Sequence, residues 1–274
     1  MKFISERILT PMNIIYPLCS SSKGNAVYVG TRTEGLLFDC GIGIRNLAGA
    51  LKLQDIPLSA IKAVFVTHEH SDHIKGLCKL SEAIPVSIYG NVPTLKELIG
   101  KKAVGPRARL KEIDKKRTSL CEMEVSCFRT SHDSADSMGY HVTFADGKRF
   151  CLCTDLGYVT EEADACLQES DFIFIESNYD RDMLLNGSYP WFLKQRIQSE
   201  KGHLSNADCA AELRRLAERG VSQFMLGHLS EENNSPEIAL AASVSVLTES
   251  GMKYGSDYTI SVAPRMTTGK AVVL

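Results

Sequence analysis

With 274 residues, 44% of them hydrophobic, and a formal net charge of −2, the chain can bury a sizeable core, but no global field announces a nucleic-acid partner; only a local surface could do so. No run approaches the ~18 apolar residues of a membrane span, and Met1 to Arg7 lacks the continuous apolar stretch of an export signal. Nine Cys, an odd number with no Cys-x-x-Cys, argue against a disulfide framework or a zinc ribbon and fit a reduced cytoplasm.

In chain order, residues 13 to 18 and Ala26 to Val29 read as strands flanking a turn-rich loop, Ser20-Ser21-Ser22-Lys23-Gly24-Asn25, and lead to a strand from Gly35 to Asp39. Ile44 to Leu53 has helical spacing. The apolar run Ile61 to Val66 predicts a buried strand, followed by a helix over Ile74 to Ile84, a strand over Val86 to Tyr89 and a helix over Pro93 to Leu98 opened by its Pro. From Lys101 to Arg117, eight Lys/Arg stand against Glu112 and Asp114, a charge run able to track a duplex backbone or simply to be solvated. Strands then dominate from Leu120 to Phe128, Gly139 to Phe144 and Phe150 to Thr154, with Asp146-Gly147 as a hairpin turn.

The second half reads as a strand over Phe172 to Glu176, a helix over Asn206 to Arg219, a strand over Gln223 to His228, a helix over Pro236 to Leu247 and a strand near Asp257 to Val262. Without a low-complexity linker or a short repeat, this order suits one domain spanning residues 1–274. Its class is α+β, an αββα sandwich of two mixed sheets packed face to face with helices outside, and strand-end loops converging at one rim.

Chemistry concentrates after Val66, in Thr67-His68-Glu69-His70-Ser71-Asp72-His73. Two His at i and i+2 on an extended segment point the same way and suit one metal, whereas adjacent Asp72 and His73 diverge toward a second. Such a segment has little to gain from packing. It points to a two-metal hydrolase.

At this motif the sequence resembles the metallo-β-lactamase superfamily, whose remaining landmarks occur in order as Leu36-Leu37-Phe38-Asp39-Cys40-Gly41, Thr130-Ser131-His132-Asp133, Cys153-Thr154-Asp155-Leu156-Gly157 and Leu226-Gly227-His228-Leu229-Ser230. The resemblance implies two divalent ions. His68, His70 and His132 would hold one and Asp72, His73 and His228 the other, with Asp155 and a hydroxide shared between them and Asp39 orienting a ligand from behind. Imidazole and carboxylate together fit zinc, manganese or iron. Gly202-His203-Leu204-Ser205-Asn206 is similar to the Gly-His-Ser/Thr region of phosphodiesterase members. This implies that His203 protonates the leaving oxygen, with Glu176 on its other ring nitrogen keeping it charged, while Asp72 and Asp155 orient the hydroxide for in-line attack.

Nearly the whole chain after residue 18 resembles the YycJ (WalJ)-like exonuclease branch, through Ser20 to Asn25, Glu176-Ser177-Asn178-Tyr179-Asp180, Gly187-Ser188-Tyr189-Pro190 and His228 to Asn234. That resemblance implies a manganese- or zinc-dependent phosphodiester hydrolase, a 5′ to 3′ DNA exonuclease with nucleic acid as its partner. Candidate substrate contacts are Ser22 and Asn25 on a phosphate, Asn178, Ser205, and an aromatic and basic cluster of Trp191, Phe192, Lys194 and Arg196; taken alone, the cluster reads more readily as an amphipathic surface helix with a core-facing Trp. The alternative is a small-molecule hydrolase, a cyclic phosphodiesterase or a thioester or lactone hydrolase, using the same ligands. A diiron electron-transfer relative would carry Glu in place of His70, and the interval from Asp155 to His228 is too short for the domain that β-CASP nucleases insert there.

Overall fold

A computed structural model describes residues 12–113 and 117–274; the N-terminal Met1 to Arg7, and Asp114, Lys115 and Lys116 of the basic run, lie outside the described residues. Strands β1 (Ile14–Ser21), β2 (Gly24–Gly30), β3 (Gly35–Phe38), β4 (Ile61–Phe65), β5 (Ser87–Gly90) and β6 (Arg109–Glu112) belong to a first sheet. Strands β7 (Thr118–Leu120), β8 (Met123–Arg129), β9 (Met138–Phe144), β10 (Arg149–Cys153), β11 (Phe172–Glu176), β12 (Gln223–Gly227) and β13 (Thr259–Val262) form a second, and β14 (Val272–Val273) returns to the first beside β1. Both sheets are mixed. In the first, β3 to β6 run parallel after an antiparallel β1–β2–β3 meander; in the second, β10 to β13 run parallel after antiparallel β7 to β10.

Alternation along the strands sorts the apolar residues into three layers. Inward-facing Val27, Val29, Leu36, Phe38, Ala63 and Phe65 of one sheet meet Val125, Tyr140, Val142, Phe150, Leu152 and Phe174 of the other. Phe38 lies 5.5 Å from Phe65 and 5.4 Å from Tyr140 by ring centroids, and the Tyr140 hydroxyl donates to the Val66 carbonyl across the sandwich at 2.6 Å. Each aromatic ring buried here contributes roughly 1.5–3 kcal/mol. The outer face of the first sheet is covered by α1 (Ile44–Lys52), α3 (Leu77–Ala83) and α4 (Val92–Gly100), which follow and precede the short α2 (Ser71–Ile74) in chain order; Leu47, Leu51, Leu77, Leu80 and Leu98 pack there. On the second sheet, α5 (Glu161–Gln168), α8 (Asn206–Ala217) and α9 (Pro236–Glu249) bury Leu167, Leu213, Leu216 and Leu247. Between them in chain order, α6 (Arg181–Asn186) and α7 (Trp191–Ile197) join Tyr179, Leu184 and Ile197 in a small separate cluster. The αββα arrangement is therefore met.

Local details differ from the sequence reading. Ser20 to Asn25 is not a loop: Ser20 pairs with Asn25 and Ser21 with Gly24, leaving Ser22-Lys23 as a tight hairpin turn. The helix expected over Ile74 to Ile84 is broken at Lys75-Gly76, because Gly76 N–H donates to the Cys40 carbonyl, and a Cβ there would lie 1.9 Å from the Ile42 carbonyl oxygen. Part of the charge run is edge strand β6, and α5, capped by Thr160, has too few apolar residues for its period to show. All nine cysteines are free, and Cys151, Cys153 and Cys209 serve as small apolar side chains in the outer core.

Candidate metal centre

The carboxyl ends of parallel strands from both sheets meet at one rim, the place where such sheets collect ligands. Asp39 follows β3, Thr67 to His73 follow β4, Asp155 follows β10, Glu176 ends β11 and His228 follows β12, while His132 comes from the β8–β9 connection. Three of these residues turn sharply off their strands in left-handed backbone, Asp39 and Asp155 at φ 59° and His228 at φ 52°. That region costs a non-glycine residue about 1–3 kcal/mol and persists where surrounding structure enforces it. Enforcement is visible here: Asp39 N–H donates to the Phe65 carbonyl, and His228 N–H donates to Ser20 Oγ at 2.7 Å.

The seven expected ligands are brought together. His68, His70 and His132 offer ligand atoms within 4.8 Å of one another, and so do Asp72, His73 and His228. Asp155 lies between the two groups, with Oδ2 at 3.4 Å from His73 Nε2 and Oδ1 at 3.8 Å from His132 Nε2 and 3.5 Å from His228 Nδ1. In four of the imidazoles one ring nitrogen is tied to a protein oxygen: His68 Nδ1 to Thr67 Oγ1 at 3.0 Å, His73 Nδ1 to Asp39 Oδ2 at 2.8 Å, His132 Nδ1 to the Gly202 carbonyl at 3.0 Å and His228 Nδ1 to Glu176 Oε1 at 2.7 Å. This is how metal-binding imidazoles are oriented, with the second nitrogen left for the ion.

The donor set fits divalent cations on one further observation. His68 Nε2, His132 Nε2 and Asp155 Oδ2 are buried with no hydrogen-bond partner. Each such orphan costs about 1–3 kcal/mol, and ions between the two groups would satisfy all three. Electrostatics agree. Burial, reinforced by the rings of His73, His132 and His70, holds His68 well below the ordinary imidazole range, and burial also lowers His132, so both are neutral donors. At His73 and His228 burial is outweighed: Asp155, Asp72 and Asp39 hold His73 well above its usual value, and Asp155, Asp72 and Glu176 push His228 up to about 10. Half-buried Asp72 and buried Asp155 are in turn held below the carboxylate range by the same two imidazoles, against the opposing effect of burial. Protons on His73 and His228 thus neutralise a carboxylate cage that a cation would otherwise neutralise.

Behind the centre, Glu176 is fully buried and has no oxygen to spare. Oε1 meets His203 Nδ1 and His228 Nδ1, both at 2.7 Å, and Oε2 accepts N–H from Leu156 at 3.0 Å and Leu204 at 3.3 Å. The expected Glu176–His203 pair is present. Its second partner, His228, is not foreshadowed by the sequence. With Nδ1 engaged, His203 turns its other nitrogen toward a cleft of about 390 Å³ whose walls include His70, Asp72, His132, Asp155, His203 and His228.

Of the proposed substrate contacts, Ser22, Asn178 and Arg196 line this cleft. Asn178 Nδ2 donates to the His228 carbonyl at 2.8 Å, and Arg196 is braced by Asp133, Nη2 to Oδ1 at 2.8 Å. Three do not serve as expected. Lys194 is buried and donates to the Leu185 and Gly187 carbonyls, both at 2.7 Å, so its ammonium holds the α6–α7 turn rather than a phosphate. Ser205 is fully buried and accepts the Asp208 N–H at 3.1 Å as the N-cap of α8. Asn25 is buried against the ligands, its Nδ2 3.3 Å from Asp72 Oδ2, and orients that carboxylate instead of meeting substrate. The helix carrying these groups does not bury its Trp: Trp191 is 64% and Phe192 71% exposed. Lys101, the first residue of the basic run, also walls the cleft, as do Tyr189 and Leu193, to which the sequence reading gave no contact.

Comparison with known proteins agrees with this geometry. Residues 35–229 match the model of the β-lactamase superfamily domain. Exodeoxyribonuclease YycJ of Bacillus anthracis is 33% identical over 255 residues, covering 92% of this chain and 96% of that protein. Exodeoxyribonuclease WalJ of Streptococcus pneumoniae serotype 2 is 34% identical over 247 residues, covering 89% and 91%. Among solved structures, the metallo-β-lactamase fold protein YhfI from Bacillus subtilis superposes with a TM-score of 0.69 at 16% identity, covering 94% of this chain and 98% of that one, a likeness of fold.

Proposed function

We propose, from the premise that the chain belongs to the metallo-β-lactamase superfamily and within it to the YycJ-like exonucleases, that it is a metal-dependent exodeoxyribonuclease working at the rim cleft. The observation that carries the hydrolase reading is the convergence of three orphaned buried ligand atoms, on His68, His132 and Asp155, the last two residues lining an open cleft. DNA as substrate, and digestion from the 5′ end, rest on the named relatives. Divalent cations, two zinc or manganese ions in this reading, supply Lewis acidity for phosphoryl oxygens and a water of lowered pKa when bound.

The chain's own groups do the rest. His68, His70 and His132 would hold one ion and Asp72, His73 and His228 the other, with Asp155 available to both. Asp72 and Asp155 orient the attacking water in line with phosphorus, and His203, steadied by Glu176, gives its proton to the leaving oxygen. Ser22, Asn178 and Arg196 border the path of the strand. Among the described residues no helix is long and apolar enough to cross a membrane, and the nine free thiols support a cytoplasmic location.

Metal analysis of the purified full-length protein, coupled to digestion of end-labelled duplexes bearing 5′-phosphate or 5′-hydroxyl ends, tests the reading. Stepwise release of mononucleotides from the 5′ end by protein holding about two ions is the expected result. Intact DNA beside fast turnover of bis-p-nitrophenyl phosphate or a thioester would transfer the site to small-molecule hydrolysis.

A further inference from the structure

Two features of the cleft are larger than a small diester needs. The first is α7. Phe192 stands one helical turn before Arg196, which lines the cleft with Leu193 and Ile197, and Trp191 precedes it in the chain. Both rings face water, although the small cluster beside them buries Tyr179, Leu184 and Ile197. The helix presenting them is firmly held. Lys194 ties it to the α6–α7 turn, Arg196 is paired with Asp133, and the Ile197 carbonyl accepts the His203 N–H at 2.9 Å. The exposed rings and the proton donor therefore belong to one braced unit.

The second feature is a line of cations leading out of the cleft. Ser71 and Lys101 border both the reaction cleft and a neighbouring groove of about 400 Å³, which continues past Lys75, Cys78 and Lys102. Lys101 Nζ is fixed by the Glu69 carbonyl at 3.1 Å, with Glu97 Oε2 at 3.9 Å, and Lys75 by the Lys23 carbonyl, so these ammonium groups are held in place. Cationic groups at the exit of a phosphodiester site complement successive phosphates of a polymer, and exposed aromatic faces beside it complement bases of any identity.

We propose that this is a track for an unpaired strand end: a base flanking the scissile phosphate stacks on Phe192 and Trp191, and phosphates on the other side run along Lys75, Lys101 and Lys102. The proposal rests on the nuclease reading and narrows its substrate to a polynucleotide with a frayed or single-stranded terminus. Stacking without base-edge hydrogen bonds makes the choice indifferent to sequence.

The test uses full-length, metal-loaded protein and three substrates: a single-stranded oligonucleotide, the same oligonucleotide with abasic sites at its terminal positions, and bis-p-nitrophenyl phosphate. Trp191→Ala/Phe192→Ala should lower the ratio of kcat/KM for the intact strand over the small diester about tenfold or more. On the abasic strand the wild type should show that same loss, and the double variant should add little to it. A Lys75→Gln/Lys102→Gln variant should flatten the dependence of strand binding on salt. Equal sensitivity of intact and abasic strands to the aromatic substitutions, or an unaltered ratio, would overturn the stacking track while leaving a nuclease. If wild-type protein turned over the diester and left every strand intact, the track and the nuclease reading would fall together.

Discussion

Glu176 shows how much of the centre hangs on one buried side chain, since its two oxygens serve four donors: the rings of His203 and His228 and the N–H groups of Leu156 and Leu204. Glu176→Gln keeps the shape but turns one oxygen into an N–H₂ that faces donors. Unfolding titrations should show a loss of about 1–3 kcal/mol, and isothermal titration should show metal affinity reduced about 10–100-fold. A variant as stable and as tightly loaded as wild type would mean that Glu176 is only a spectator. His203 separates from the ligands by the same reasoning. Because its Nδ1 meets Glu176 and it stands outside both imidazole groups assigned to the ions, His203→Ala should retain metal while turnover falls about 10²–10⁴-fold. His68→Ala should lose both. Normal hydrolysis by metal-loaded His203→Ala protein would remove the acid role.

At the scale of elements, what could be read in the sequence follows from how local each cause is. Thr67 to His73 announces itself because its ligands lie close together in the chain after an apolar strand, and continuous apolar runs such as Phe172 to Ile175 carry their burial in their own composition. The dual role of Glu176, the Asn25–Asp72 contact and the capture of Lys194 by two carbonyls depend on partners far along the chain or on an unforeseen turn. Nothing local marks them. Lys194 misleads for a definite reason: a basic residue among aromatics looks like a phosphate contact, yet its long stem let the ammonium reach back to a carbonyl cluster under α7. Gly202 joins these elements. A Cβ there would lie 2.1 Å from the Ile197 carbonyl oxygen, which itself accepts the His203 N–H, and the Gly202 carbonyl accepts from or faces His132 Nδ1. Gly202→Ala should therefore push α7 from the loop at a cost of about 1–3 kcal/mol. Its kcat should fall more than its metal content, as read by turnover and elemental analysis on one preparation. Equal losses would place the damage at His132 rather than at His203.

For the whole molecule, the rim is a charge reservoir that couples folding to protons when the ions are removed. His228, held at about 10 in the fold, has an ordinary value near 6.5 once unfolded. The folded chain thus binds this proton more tightly, and the stability it contributes is fully present below about pH 6.5 and lost as pH rises toward about 10. His73, also raised, acts in the same direction. Asp72, Asp155 and Glu176 are depressed, so their contribution is present above the unfolded carboxylate range of about 3.9–4.3 and lost as pH falls through their folded values. His68 and His132 are depressed, so their contribution is lost as pH falls below about 6.5. For chelator-stripped protein the cluster therefore stabilises most at about pH 6.5, and denaturant midpoints should decline steadily from pH 6.5 to 10. Metal-loaded protein should not follow, because deprotonated His73 and His228 are the forms that bind an ion, and the cage is then neutralised by metal instead of protons. Parallel declines with and without chelator across that range would show that the imidazoles and carboxylates at the rim do not exchange protons for cations.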